Sequence, residues 1–225
     1  MLACLAAALA MQPDNTLTRQ EKRDGWILLF DGKTTKGWHS FKQKGIQPGW
    51  TVKEGVLAIT DAEHAGDIVT DGKYDWFELQ LDWNVGKGQN SGVMLHVADD
   101  SETIWTSGPE VQIYDDHGEP GAQKNGWLYD LYDSKVDSTH PAGQWNHFRI
   151  LVTPEKCETD VNGVKYYEWV WGSNDFWARV AASKFHQWPE FAKLTKGTIG
   201  LQGDHGLVQF KNIKLKPIKV DGPEL

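Results

Sequence analysis

The 225-residue chain is poor in cysteine, with only Cys4 and Cys157. Cys4 falls in an apolar N-terminal stretch expected to be removed, which leaves Cys157 alone. No internal disulfide is then expected, and burial must hold the core together. Cys157 sits in a strand pattern without a paired His or Asp, and reads as a packed thiol rather than a nucleophile. Basic residues are also in deficit, with 23 Lys+Arg against 31 Asp+Glu and a formal charge of -8. That balance argues against nucleic acid and anionic membrane surfaces as partners, because both recruit basic patches. There is no apolar run long enough to span a bilayer, no repeat, no phosphate-cradling loop and no dinucleotide fingerprint. Metal motifs are missing as well: no His-x-x-x-His helix, no Cys pair and no calcium loop of alternating acids. Asp99-Asp100 and Asp115-Asp116-His117 are acidic enough to take a cation, but read as solvated loops. No cofactor is predicted, with a divalent cation left open.

Tryptophan is abundant, at 12 residues. A flat aromatic face suits the apolar C–H face of a pyranose. Most of these rings are expected in a core, where a buried indole N–H needs a partner, and two to four at a ligand surface. The length suits one all-β domain. Residues 1–10 end in Ala8-Leu9-Ala10, the small-x-small pattern of a signal-peptide cleavage site, although the basic stretch that opens such a signal is missing. They read as a signal-peptide remnant, with residues 11–24 as a polar, aperiodic leader, 25–218 as the domain and 219–225 as a tail. The expectation is a periplasmic or secreted protein. Lipid anchoring at Cys4 is the lesser alternative, since apolar residues follow it.

Period-2 alternation dominates from Trp26 onward. In Asp75 to Val85 it puts Phe77, Leu79, Leu81, Trp83 and Val85 on one face and Glu78, Gln80 and Asp82 on the other, as in a half-buried antiparallel strand. Val161-Asn-Gly-Val164 is a strong hairpin signal, and Lys53-Glu-Gly55 a turn between Trp50–Val52 and Val56–Ile59. Further strands are expected at 26–30, 66–70, 92–98, 110–114, 145–153, 197–202 and 206–217. Their spacing predicts an all-β, two-sheet antiparallel jelly-roll sandwich, lectin-like or concanavalin A-like. One short helix is expected near 174–187, capped by Ser173-Asn-Asp175, with Phe176, Val180 and Ala181 on one face and Pro189 as its stop.

The most informative segment for chemistry is Glu110 to Tyr114. Val111 and Ile113 take the core side, so Glu110, Gln112 and Tyr114 share the open face. A carboxylate, an amide and a phenol there suit a sugar, or simply a solvated face. A two-carboxylate glycosidase needs carboxyls roughly 5–9.5 Å apart, and this strand does not supply the pair alone. His205, in the turn Gln202-Gly-Asp-His-Gly206, can move a proton near neutral pH. Asn90-Ser-Gly92 either positions a side chain on the ligand or forms a turn.

A set of segments taken together resembles the 3-keto-disaccharide hydrolase family, across roughly residues 25–218. The matching stretches are Leu29-Phe-Asp-Gly-Lys33 with Gly37-Trp38, Trp50 to Leu57, Gly66 to Thr70, Tyr74 to Leu79 and Asn90-Ser-Gly92. Gly108 to Asp115, Leu128-Tyr129, Pro141 to Asn146 and Asn162-Gly163 follow. Gly197 to Gln202, His205-Gly206 and Phe210 to Leu215 complete it. The chain departs from that pattern at His140, where the family often has Lys, at Gln144 in place of Glu, and at Gly203-Asp204, which adds a residue. The resemblance implies chemistry on sugars already oxidised at C3. The ketone acidifies C2, a base removes that proton, the enolate expels the C1 substituent, and water adds back. With the open face of Glu110, Gln112 and Tyr114, that chemistry leads to the expectation of Glu110 as base or acid and His205 as its proton-transfer partner. Asn90, Gln112, Tyr114, Trp127, Tyr129, His140 and Gln202 would bind substrate. It also implies an upstream dehydrogenase that oxidises sugars at C3. Alternatives are a non-catalytic carbohydrate-binding module and an ordinary two-carboxylate glycoside hydrolase.

Overall fold

The computed structural model describes residues 12–115 and 124–220. Two antiparallel sheets form a sandwich. In chain order the elements are α1 (Arg19–Arg23), β1 (Ile27–Leu28), β2 (Trp38–Ser40), β3 (Trp50–Lys53), β4 (Val56–Ile59), β5 (Ile68–Thr70), β6 (Phe77–Val85) and β7 (Asn90–Val97). They continue as α2 (Ile104–Ser107), β8 (Glu110–Tyr114), β9 (Asn146–Val152), β10 (Cys157–Val161), β11 (Val164–Trp169), α3 (Asn174–Ala182), β12 (Thr198–Leu201) and β13 (Val208–Pro217). One sheet runs β11-β10-β9-β6-β13-β4-β3, with β1 also on β13; the other runs β2-β5-β12-β7-β8.

Strand β6 lies at the centre of the larger sheet, and its burial alternates residue by residue as the sequence predicts. Phe77, Leu79, Leu81, Trp83 and Val85 all point into the sandwich. They meet Val93 and Leu95 of β7 and Val111 and Ile113 of β8 in one core cluster. Each such side chain contributes about 1.5–3 kcal/mol through burial. At the β10–β11 hairpin, Asn162 and Gly163 have φ of 49° and 79°, the left-handed pair that a two-residue turn requires. Cys157 is packed in the core, where burial pushes its thiol up to about 12, out of the nucleophilic range.

Three local expectations change. The 174–187 segment is two pieces: α3, and a 3-10 turn at Lys184–Gln187. Ser183 adopts an extended φ/ψ of −95°/174° between them, and its hydroxyl caps Phe185. The cap at Ser173 and the buried Phe176 and Val180 are as expected, but Ala181 is exposed. The polar leader is ordered along 12–24, with a capping box at Thr18 and Glu21 starting α1. Asn15 and Asn212 exchange reciprocal backbone–side-chain bonds of 2.6 and 2.8 Å, at the bulge where β13 shifts register. Asn90-Ser-Gly92 is not a turn but the start of β7.

Candidate functional site

The register of the five-stranded sheet builds the site. Val69 of β5 pairs with Gly200 of β12, Gly200 with Met94 of β7, and Met94 with Glu110 of β8. Residues directly opposite share a face, so this row lies on the outer face, away from the sandwich core. Two residues along, the next row holds Gln202, Gly92 and Gln112, with Gln202 N–H bonded to Gly92 C=O at 3.0 Å. Asn90 lies opposite Tyr114 in the row beyond. Gly92 is required here. A Cβ on it would sit 2.1 Å from Glu110 Oε1, so the carboxyl lies across the strand through the space glycine leaves.

This outer face is covered. Segment 125–132 runs along the free edge of β8, with Gln112 N–H donating to Trp127 C=O at 3.0 Å and Tyr129 N–H to Glu110 C=O at 2.9 Å. Between this segment, α2 and the 184–187 turn lies a cleft of about 350 Å³, larger than three others of 160 to 200 Å³. Its sheet side presents Asn90, Glu110, Gln112 and Gln202, and its far wall Trp105, Tyr129, Lys184 and Phe185, with His205 also lining it.

The face expected to be open is therefore largely dry. Glu110 is 7% exposed and Gln112 1%. The desolvation that accompanies burial pushes Glu110 up to about 8, against a downward pull from the Lys184 charge and upward pushes from Asp67 and Asp204. Among the described residues, four buried polar atoms on this face have no partner: Asn90 Oδ1, Gln112 Oε1, Gln112 Nε2 and Gln202 Oε1. Leaving such groups unpaired costs about 1–3 kcal/mol each, and their convergence makes this cleft the candidate site.

His205 Nδ1 is bonded to the Asp204 carboxylate. A donor N–H at Nδ1 leaves Nε2 with its lone pair, the tautomer a general base needs. The turn is held by Asp67, which accepts the Gly203 N–H at 3.0 Å; burial pushes Asp67 up to about 6. Gly203 has no room for a side chain, since a Cβ would lie 1.8 Å from Gly66 C=O.

Asn90, Glu110, Gln112, Tyr129, Gln202 and His205 thus meet at the cleft, as the sequence suggests. Three residues do not line it. Tyr114 stands beside Asn90 at the end of β8. Trp127 turns its ring to two smaller clefts, because its backbone rather than its side chain docks on Gln112. His140 bonds Asn146 Oδ1 and Trp145 C=O at the start of β9, in the larger sheet. Of the twelve tryptophans, Trp105 alone lines the main cleft, against the two to four expected. Trp105, Lys184 and Phe185 were not foreseen. Trp105 rides on α2, which has no clear sequence signal, and the other two depend on the break at Ser183. Asp67, just before β5, was not singled out by the sequence either.

Among the described residues no three His, Cys, Asp or Glu side chains cluster as metal ligands; Asp116 and His117 lie outside the described residues. Asp99 pairs with Lys73 at 2.7 Å. No helix among the described residues is long and apolar enough to cross a membrane.

Comparison with known proteins agrees with this architecture. A carbohydrate-binding module from Bacillus subtilis superimposes with a TM-score of 0.50 at 12% identity, over 79% of this chain and 94% of its own, which is a likeness of fold. A solved structure from Parabacteroides distasonis, carrying a provisional glycosyl hydrolase name, superimposes with a TM-score of 0.84 at 32% identity, over 92% of this chain and all of its own. A 3-keto-disaccharide hydrolase of Bacteroides thetaiotaomicron is 31% identical over 86% of this chain and 78% of its own. The family model described as the 3-keto-alpha-glucoside-1,2-lyase-like domain matches residues 25–216. With a match of that extent and order, the chain belongs to the 3-keto-alpha-glucoside-1,2-lyase-like family.

Proposed function

We propose that this protein hydrolyses 3-keto-glycosides, including 3-keto-disaccharides, by elimination and rehydration rather than by direct displacement at C1. The observation that carries the reading is the convergence of unpartnered Asn90, Gln112 and Gln202 polar atoms beside a buried, neutral-leaning Glu110. Family membership supports it, as does the 3-keto-disaccharide hydrolase name of the Bacteroides relative.

His205, oriented by Asp204, takes the C2 proton that the C3 ketone acidifies. Glu110, protonated below about pH 8, gives its proton to the departing glycosidic oxygen. The amides of Gln112 and Gln202 and the Asn90 side chain bind the sugar hydroxyls. Water then adds to the enone and restores a 3-keto sugar. Such a substrate must come from a dehydrogenase-class reaction at C3. We place the reaction outside the cytoplasm, on the signal-like residues 1–10.

The test compares turnover of a 3-keto-glucoside with that of the same glucoside unoxidised. The reading predicts turnover of the keto substrate alone. Equal rates on both would favour a conventional two-carboxylate mechanism, and binding without turnover of either would favour a carbohydrate-binding module.

A further inference from the structure

Lys184 projects from the aromatic wall of the cleft, opposite the unpartnered amides. Several lysines of the molecule hold carboxylates: Lys156 with Glu158 at 2.9 Å, Lys165 with Glu168 at 2.8 Å, Lys73 with Asp99 at 2.7 Å. Lys184 instead lies over rings, with Nζ 4.4 Å from the centre of Tyr129, 5.3 Å from Trp105 and 5.4 Å from Phe185. Aromatic faces hold an ammonium in place without neutralising it. Its only carboxyl neighbour in the cleft lining, Glu110, is buried and uncharged through the neutral range. Among the described residues the cleft lining therefore carries a ring-held cation and, apart from Glu110, no carboxyl, beside the group that would protonate the leaving oxygen. A cation so placed is suited to an oxygen that becomes negative only during reaction.

We propose that Lys184 is a catalytic residue that binds the C3 oxygen and stabilises the enolate formed there, a role that rests on the elimination reading above. When His205 takes the C2 proton, the C–H pair forms a C2–C3 double bond. The carbonyl π pair moves onto the C3 oxygen, where the Lys184 ammonium donates a hydrogen bond and keeps its proton. The pair then returns, the C3 carbonyl reforms, a C1–C2 double bond forms and the C1–O bond breaks. The leaving oxygen receives the Glu110 proton. Addition of water across C1–C2 balances the reaction without any redox change. The break at Ser183 is what makes this possible, because it ends α3 and sets Lys184 and Phe185 on the cleft wall.

The test measures kcat, KM and deuterium exchange at C2 in D2O, at saturating 3-keto-glucoside, for wild type, K184M and K184R. Lys184 is exposed and Met packs well against rings, so melting temperatures should match. The proposal predicts that K184M loses about 10²-fold in both kcat and C2 exchange, with KM within about threefold, and that K184R recovers about tenfold of that loss. Exchange at the wild-type rate in K184M, or a rise in KM alone, overturns it while leaving the elimination reading intact. A wild type that exchanges no C2 hydrogen overturns the elimination reading itself, and this role with it.

Discussion

The outer faces of the two sheets carry the same kinds of side chain and treat them in opposite ways. On the eight-stranded sheet, Arg149 binds Glu78, Glu158 and Asp160 at 2.8 to 3.2 Å. Asp82 holds both His147 and Asn212 at 2.6 Å. The single oxygen left over, Asp160 Oδ1, belongs to a carboxylate already bound through its other oxygen. On the five-stranded sheet, Glu110, Gln112 and Gln202 are more deeply buried, and among the described residues both side-chain polar atoms of Gln112, Gln202 Oε1 and the neighbouring Asn90 Oδ1 have no partner. Folding alone selects for satisfied polar groups. A buried face that violates this in one cleft fits the ligand site proposed above, whereas the Arg149 face satisfies its own charges.

Four predictions sharpen that contrast, taken by their effect on turnover. Glu110→Gln should lower kcat by about 10²-fold or more, the scale of a lost general acid, and wild-type activity should fall as pH rises through about 8. The same substitution should stabilise the fold at alkaline pH. A carboxyl raised in the folded state binds its proton more tightly there than when unfolded. Wild-type stability therefore falls between the unfolded value near 4.5 and about 8, by on the order of a few kcal/mol. Melting curves should show Glu110→Gln above wild type at pH 9 and level with it at pH 4; a uniform loss at both would mean that the carboxylate is structural. Gly92→Ala should displace the Glu110 carboxyl and cost roughly 10-fold or more in kcat, read by steady-state kinetics against an unchanged KM. Gln112→Leu should raise KM several-fold yet leave stability equal or higher, because it removes two unsatisfied buried atoms; a destabilised variant would show that Gln112 has partners in the fold. Arg149→Met should leave kcat/KM unchanged and cost about 1–3 kcal/mol in denaturant unfolding, since Glu78 and Asp160 lose their charged donor while Glu158 keeps Lys156.

Much of this was legible before the structure. The alternation in β6 and β8 and the Asn162-Gly163 turn determine which faces are inward, and that puts Glu110 and Gln112 on one surface. What period-2 reasoning lacks is the third layer. It assigns Glu110 to the face away from the core and stops there, whereas segment 125–132, α2 and the 184–187 turn close over that face. Trp127 was misplaced for the same reason, because in an irregular segment the backbone bonds decide where the ring points. Lys184 was hidden by a helical pattern that continues through Ser183, where a hydroxyl capping Phe185 competes with the helix.

The assignment of His205 as base and Glu110 as acid is tested most directly by C2 deuterium exchange in D2O, measured beside glycoside cleavage, in wild type, Glu110→Gln and His205→Asn. Proton removal and bond breaking then report on different residues. We predict that Glu110→Gln keeps C2 exchange while cleavage drops, so that the ratio of exchange to cleavage rises well above wild type, and that His205→Asn loses both. Loss of exchange in Glu110→Gln, with exchange intact in His205→Asn, would contradict the assignment and make Glu110 the base.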